Sequence, residues 1–114
     1  MTMQQVENLR AELNSAEAER FAAWFGKVFP DQAPQIEPDR VSVKDRRDFY
    51  ALDIGTSGAF LVRKVDGAIF GIRGYGRPDY RKGIAYLGEI RGAELLPYRH
   101  ARGPFRVDMK DVRV

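Results

Sequence analysis

Apolar positions along the chain change their period once, from helical to alternating. Val6, Leu9 and Leu13 recur at helical intervals and, at about 100° per residue, cluster in one direction. Phe21, Trp24, Phe25 and Val28 cluster roughly 80° further round. Thr2 to Gln5 has the spacing of a capping box, Lys27 suits the negative end of the helix dipole, and Pro30 stops the segment. Between the two apolar stripes, "NSAE" offers Asn14 or Ser15 as a second cap, with Glu17 and Glu19 in the turn that follows. The pattern predicts one kinked helix, or two helices broken near Asn14.

The stretch "PDQAPQIEPDR" carries three prolines and no period, which predicts an extended surface linker over 31–40. From Asp48 the period is two. "DFYALDI", "AFLVRKV" and "AIFGIRGY" are strand-like and are joined by "GTSG" and "DG". A two-residue type I′ turn at Asp66-Gly67 pairs Val65 with Ala68, Arg63 with Phe70 and Leu61 with Ile72. A four-residue "GTSG" loop pairs Ile54 with Ala59, Leu52 with Leu61 and Tyr50 with Arg63. Together these registers place Leu52, Ile54, Leu61, Val65, Phe70 and Ile72 on one face. The other face takes Asp53, Lys64, Arg73 and Gly71 among Phe49, Phe60, Val62 and Ile69. The Trp24/Phe25 stripe is the expected cover for the apolar face.

"IAYLGEI" reads as a fourth strand, "RGAELLPYRHARG" is ambiguous, and "PFRVDMKDVRV" fits a closing edge strand or an extended arm. The expected fold is α+β: a helical segment (1–30) packed on one face of a four- or five-stranded antiparallel sheet (41–97). A basic C-terminal strand or arm (98–114) completes a single domain of 114 residues.

Composition agrees with a globular domain, at 44% hydrophobic and 31% charged residues. With no cysteine, disulfides, thiolate metal sites and cysteine nucleophiles are excluded. No leader pattern opens the chain and no run of apolar residues approaches a membrane span, so a soluble cytoplasmic protein is expected. The net charge of +3 is unevenly distributed. Residues 1–39 hold three basic and seven acidic side chains, whereas 40–114 hold sixteen basic and nine acidic ones, twelve of the basic ones arginine. A basic half of this kind attracts polyanions.

"LDIGTSGAFLVRKVDG" resembles the first phosphate motif of the actin and sugar-kinase superfamily, with Asp53, Gly55, Thr56 and the Asp66-Gly67 turn as the matching residues. The RNase H-like nucleases open with a similar meander. The resemblance implies a turn that cradles phosphate and a carboxylate that holds its magnesium. It covers about sixteen residues and ends there, because the helix and parallel strand that both families need next do not follow. No family is recognised across the whole chain. His100, the one histidine, lies near Glu94, Tyr98, Arg99 and Arg102, a set that suits metal-free RNA cleavage or an ordinary wet surface.

The densest chemistry lies in "GIRGYGRPDYRKG", residues 71–83. Four glycines, two tyrosines and four basic side chains fall within thirteen residues. Tyr75 and Tyr80 offer faces on which bases can stack, and Arg73, Arg77, Arg81 and Lys82 can neutralise phosphates. Read as a loop, with Arg99 and Arg102 from the C-terminal segment, it predicts a non-catalytic module that binds single-stranded RNA or DNA. The same residue types mark protein-binding hot spots. The alternative is therefore a small inhibitor or adaptor, phage-encoded, aimed at a protein of a nucleic-acid-handling or defence complex. A nuclease using His100 or the acidic residues is the third reading. No cofactor, metal or catalytic residue is assigned.

Overall fold

The computed structural model describes residues 3–33, 37–74 and 77–100, with the side chains of Arg81 and His100 outside that description. Helix α1 spans Met3–Val28. Strands β1 (Val41–Asp45), β2 (Phe49–Ile54), β3 (Ser57–Arg63), β4 (Ala68–Gly74) and β5 (Arg77–Tyr86) follow. Helix α2 (Gly92–Leu95) runs into a 3₁₀ turn over Leu96–His100. The five strands form one antiparallel sheet in chain order, with α1 packed on one face. No helix is long and apolar enough to cross a membrane among these residues. Thr2 and the segment 101–114 lie outside the described residues, and with them the expected capping box and closing strand.

Helix α1 is continuous through "NSAE". The Asn14 side chain is used in a tertiary contact: its Oδ1 accepts the Val41 N–H at 3.1 Å, holding the start of β1. One turn away, Glu12 accepts the Gly92 N–H and the Arg91 guanidinium, each at 3.0 Å, and so fastens α2 to the same helix. Gly92 allows that approach. A Cβ there would lie 2.4 Å from the backbone of Glu12 and Leu13.

The cover of the sheet is the first stripe, not the second. Val6, Leu9 and Leu13 are buried against Leu52, Ile54, Phe60, Val62, Ile69 and Ile84. Trp24 is 47% exposed. A helix of 26 residues is about 39 Å long, and its buried apolar stripe covers only the first half. Beyond Glu17 the aromatic side chains Phe21, Trp24, Phe25 and Phe29 pack chiefly on one another, with ring centroids 5.0–6.2 Å apart.

Both expected turns differ, and the face assignment changes with them. Ile54 pairs with Ser57, so the β2–β3 turn is the two residues Gly55 and Thr56 rather than all of "GTSG". A bulge beside Leu52 then sets Leu52 opposite Phe60 and Tyr50 opposite Val62. That is one residue away from the expected register, which exchanges the two faces of β2 relative to β3. The β3–β4 turn spans four residues, with the Gly67 N–H donating to the Arg63 carbonyl at 2.7 Å. A type I′ turn needs positive φ at both Asp66 and Gly67, and only Gly67 has it, at 77°. The Asp66 carboxylate instead accepts the Ala68 N–H at 3.1 Å, an alternative to the two-residue turn.

Leu52 and Ile54 therefore face α1 with Phe60, Val62 and Ile69, while Leu61 and Phe70 share the opposite face with Ala51. Val65, expected in the core, is 80% exposed at the turn. Strand β1 begins at Val41, seven residues before the alternating pattern becomes plain at Asp48.

Chemical denaturation checks which stripe covers the sheet. Leu13→Ala is expected to cost about 2–5 kcal/mol, and Trp24→Ala below about 1 kcal/mol. The reverse order would place the sheet under the aromatic end of the helix. Gly92→Ala, which drives a methyl into the α1 backbone, is expected to cost at least the roughly 1–3 kcal/mol typical of overpacking.

Candidate functional site

The stretch 71–83 is a β-hairpin rather than a loop. Gly74 pairs with Arg77, so only residues 75 and 76 connect β4 to β5, and they lie outside the described residues. The extra glycines serve the sheet: Gly71 lies under Lys82, whose Cβ would be 3.1 Å from a Cβ on Gly71. Register shifts between Ile69 and Gly74 bend the pair.

This hairpin divides the expected site residues. Arg73 and Arg77 are exposed near its tip and Lys82 is half-buried. None of the three joins an ion pair formed among the described residues. Tyr80 is half-buried, its ring packed edge-on against Phe70 at 5.2 Å. Arg99 is elsewhere, lining a cleft on α1 with Glu17 and Arg20. The side chain of Arg81 and the whole of Tyr75 and Arg102 are outside the described residues.

Tyr80 belongs to a larger assembly on the sheet face opposite α1. Phe70 and Ala68 are buried there among Phe49, Tyr80 and Tyr86. Arg63 lies opposite Phe49 in the ladder and sets its guanidinium over the Phe70 ring, 5.4 Å from the centroid. Only 4% exposed, it binds Asp66 through Nε (3.2 Å) and Nη2 (2.9 Å). Its Nη1 is buried with no partner. The Arg63 hydrogen bonds, with help from the Ala68 amide, hold the Asp66 carboxyl below the usual carboxylate range, and Asp66 in turn raises the pKa of Arg63.

A cleft of about 570 Å³ opens beside this group, lined by Arg47, Phe49, Arg63, Lys64 and Tyr80. Lys64 is paired with Asp45 and lies 4.8 Å from the centre of the Tyr50 ring. Arg47 and Asp48 come from the β1–β2 turn. In an antiparallel meander that turn and the β3–β4 turn lie at one end of the sheet, and the β4–β5 tip at the other. The two basic ends are thus separated by the length of β4, about 20 Å at 3.4 Å per residue.

Of this set only Tyr80 was named from sequence; Arg47, Phe49, Arg63, Lys64 and Phe70 were not. The signal available was the i,i+3 spacing of Arg63 and Asp66 around the turn, which permits the ion pair. The phosphate-motif residues are engaged otherwise. Asp53 is buried against Lys44 at 3.3 Å, and the Gly55 N–H donates to the Arg40 carbonyl at 2.9 Å. All strand pairs are antiparallel, so the meander is not continued as in either family. Comparison with known proteins finds no matching family model, curated protein or solved structure, and the function must be read from the geometry.

The Arg63–Asp66 pair contributes stability above the ordinary aspartate range, and the contribution is lost as pH falls through the lowered folded-state value. Wild-type stability is expected to decline on acidification through that range, with a smaller decline in Asp66→Asn. Equal declines, measured by urea denaturation across acidic pH, would show that the pair has no part in the acid response.

Proposed function

We propose that this protein is a non-catalytic binding module for single-stranded nucleic acid, and that the strand crosses the sheet face opposite α1. The observation that carries the reading is the aromatic and arginine group of Phe49, Arg63, Phe70 and Tyr80 placed between two basic ends. Aromatic rings give bases a sequence-tolerant platform, and arginines track the backbone. Arg73, Arg77 and Lys82, unpaired among the described residues, keep their charge for phosphate at the hairpin end. Arg47 extends the basic surface at the other.

Labelled single-stranded RNA, single-stranded DNA and duplex, titrated at several salt concentrations, test this reading. Single strands are expected to bind more tightly than duplex. Arg73→Ala and Arg77→Ala are each expected to weaken every sequence and flatten the salt dependence by about one phosphate contact. Tyr80→Ala is expected to cost about 1–3 kcal/mol of binding, the value of a base–aromatic stack, after correction for any loss of folded protein. Affinity weaker than about 10⁻⁴ M for all three at physiological salt would sink the proposal.

A second reading has an observation of its own. The far end of α1 presents Trp24, Val28 and Phe29 to solvent beside Phe21 and Phe25. Exposed Trp and Phe at the end of a rigid helix suit a protein partner, with the chain acting as an inhibitor or adaptor of a nucleic-acid-handling complex. Under that reading Trp24→Ala abolishes capture of the partner and leaves oligonucleotide binding unchanged.

A further inference from the structure

We propose that the cleft beside Arg63 takes a single unstacked nucleobase, and selects one whose edge carries a carbonyl oxygen. The inference rests on the nucleic-acid reading above and adds to it a base-reading site that phosphate attraction cannot supply.

The charges in the cleft point away from phosphate. Arg63 is already held by Asp66 through two nitrogens, and Lys64 is held by Asp45. Asp48 stands in the same lining as Arg47. Each cation has an acid close by, so the net field for a dianion is weak. What remains unsatisfied is one group: Nη1 of Arg63, buried and with no acceptor. A buried donor without a partner carries a desolvation cost that a ligand's acceptor removes. The guanidinium cannot turn freely to find water, because Asp66 holds two of its nitrogens and Phe70 lies beneath it. It is a prepositioned donor.

The walls define the shape of the acceptor. Phe49 and Tyr80 are half-buried cleft residues, both seated against Phe70 in edge-on contacts at 6.5 and 5.2 Å. Their positions are thus set by the core. A flat ring fits between such side chains, and the cleft, at about 570 Å³, is in the range that holds small ligands. A nucleobase laid on these rings with its carbonyl toward Arg63 satisfies both demands. Uracil, cytosine, guanine and hypoxanthine carry such an oxygen; adenine does not. The hairpin arginines would hold the backbone while the cleft reads one base.

Hexainosine and hexaadenosine separate the two roles, since they share backbone and purine size and differ at the carbonyl. Wild-type protein is expected to bind hexainosine about tenfold more tightly, the usual effect of one hydrogen bond from a charged donor. Arg63→Lys is expected to reduce the ratio to within about twofold while hexaadenosine affinity stays near wild type. Should that variant fail to fold, the guanidinium resonances of Arg63 in wild-type protein serve instead. They are expected to shift on adding hexainosine and to stay in place on adding hexaadenosine. Binding of both hexamers with equal affinity and unmoved Arg63 resonances would overturn the base-reading site and leave the binding module standing. Binding of neither would overturn both.

Discussion

The burial of Val6, Leu9 and Leu13 in the sheet face made by Leu52, Ile54, Phe60, Val62, Ile69 and Ile84 is the contact on which the other features depend. Each such side chain contributes about 1.5–3 kcal/mol when fully buried. Those interactions commit one face of the sheet to α1, so the other face must carry whatever β2, β3 and β4 place there. Polar contacts from the same turns of the helix hold the neighbouring elements: Asn14 binds the start of β1 and Glu12 the start of α2. The helix therefore works as a spine for both ends of the chain's ordered body.

The opposite face owes its chemistry to that commitment. Arg63 sits in a strand whose alternate residues, Phe60 and Val62, are taken by the helix. It is left among aromatic rings, where a guanidinium is tolerated only with a carboxylate at hand. Asp66 supplies it from the adjoining turn, and the same carboxylate accepts the Ala68 amide. One side chain thus shapes the turn and neutralises the buried cation. The resulting surface separates two kinds of positive charge: internally paired ones beside the cleft, and unpaired ones near the hairpin tip. Shape and hydrogen bonding dominate at the first, Coulomb attraction at the second. That division underlies the proposed split between reading a base and holding a backbone.

The amino-acid sequence by itself determined the class of fold. Helical spacing up to Val28, period two after Asp48 and the glycine turns between strands dictate a helix and an antiparallel meander, because those periods reflect backbone geometry that no partner needs to supply. It also determined that residues 71–83 concentrate arginine and tyrosine. Tertiary structure decided which apolar stripe meets the sheet. Both stripes have helical spacing, and only the seating of α1, fastened by Asn14 and Glu12, favours Val6–Leu13 over Trp24. The faces were decided in the same way. One bulge beside Leu52 and one carboxylate contact at Ala68 changed two registers, and a single-residue slip moves every side chain of a strand to the other side. For that reason the arginine hairpin was visible along the chain while the Arg63 cleft was not. Its walls come from β2, β5 and two turns, brought together only when the sheet closes over its core.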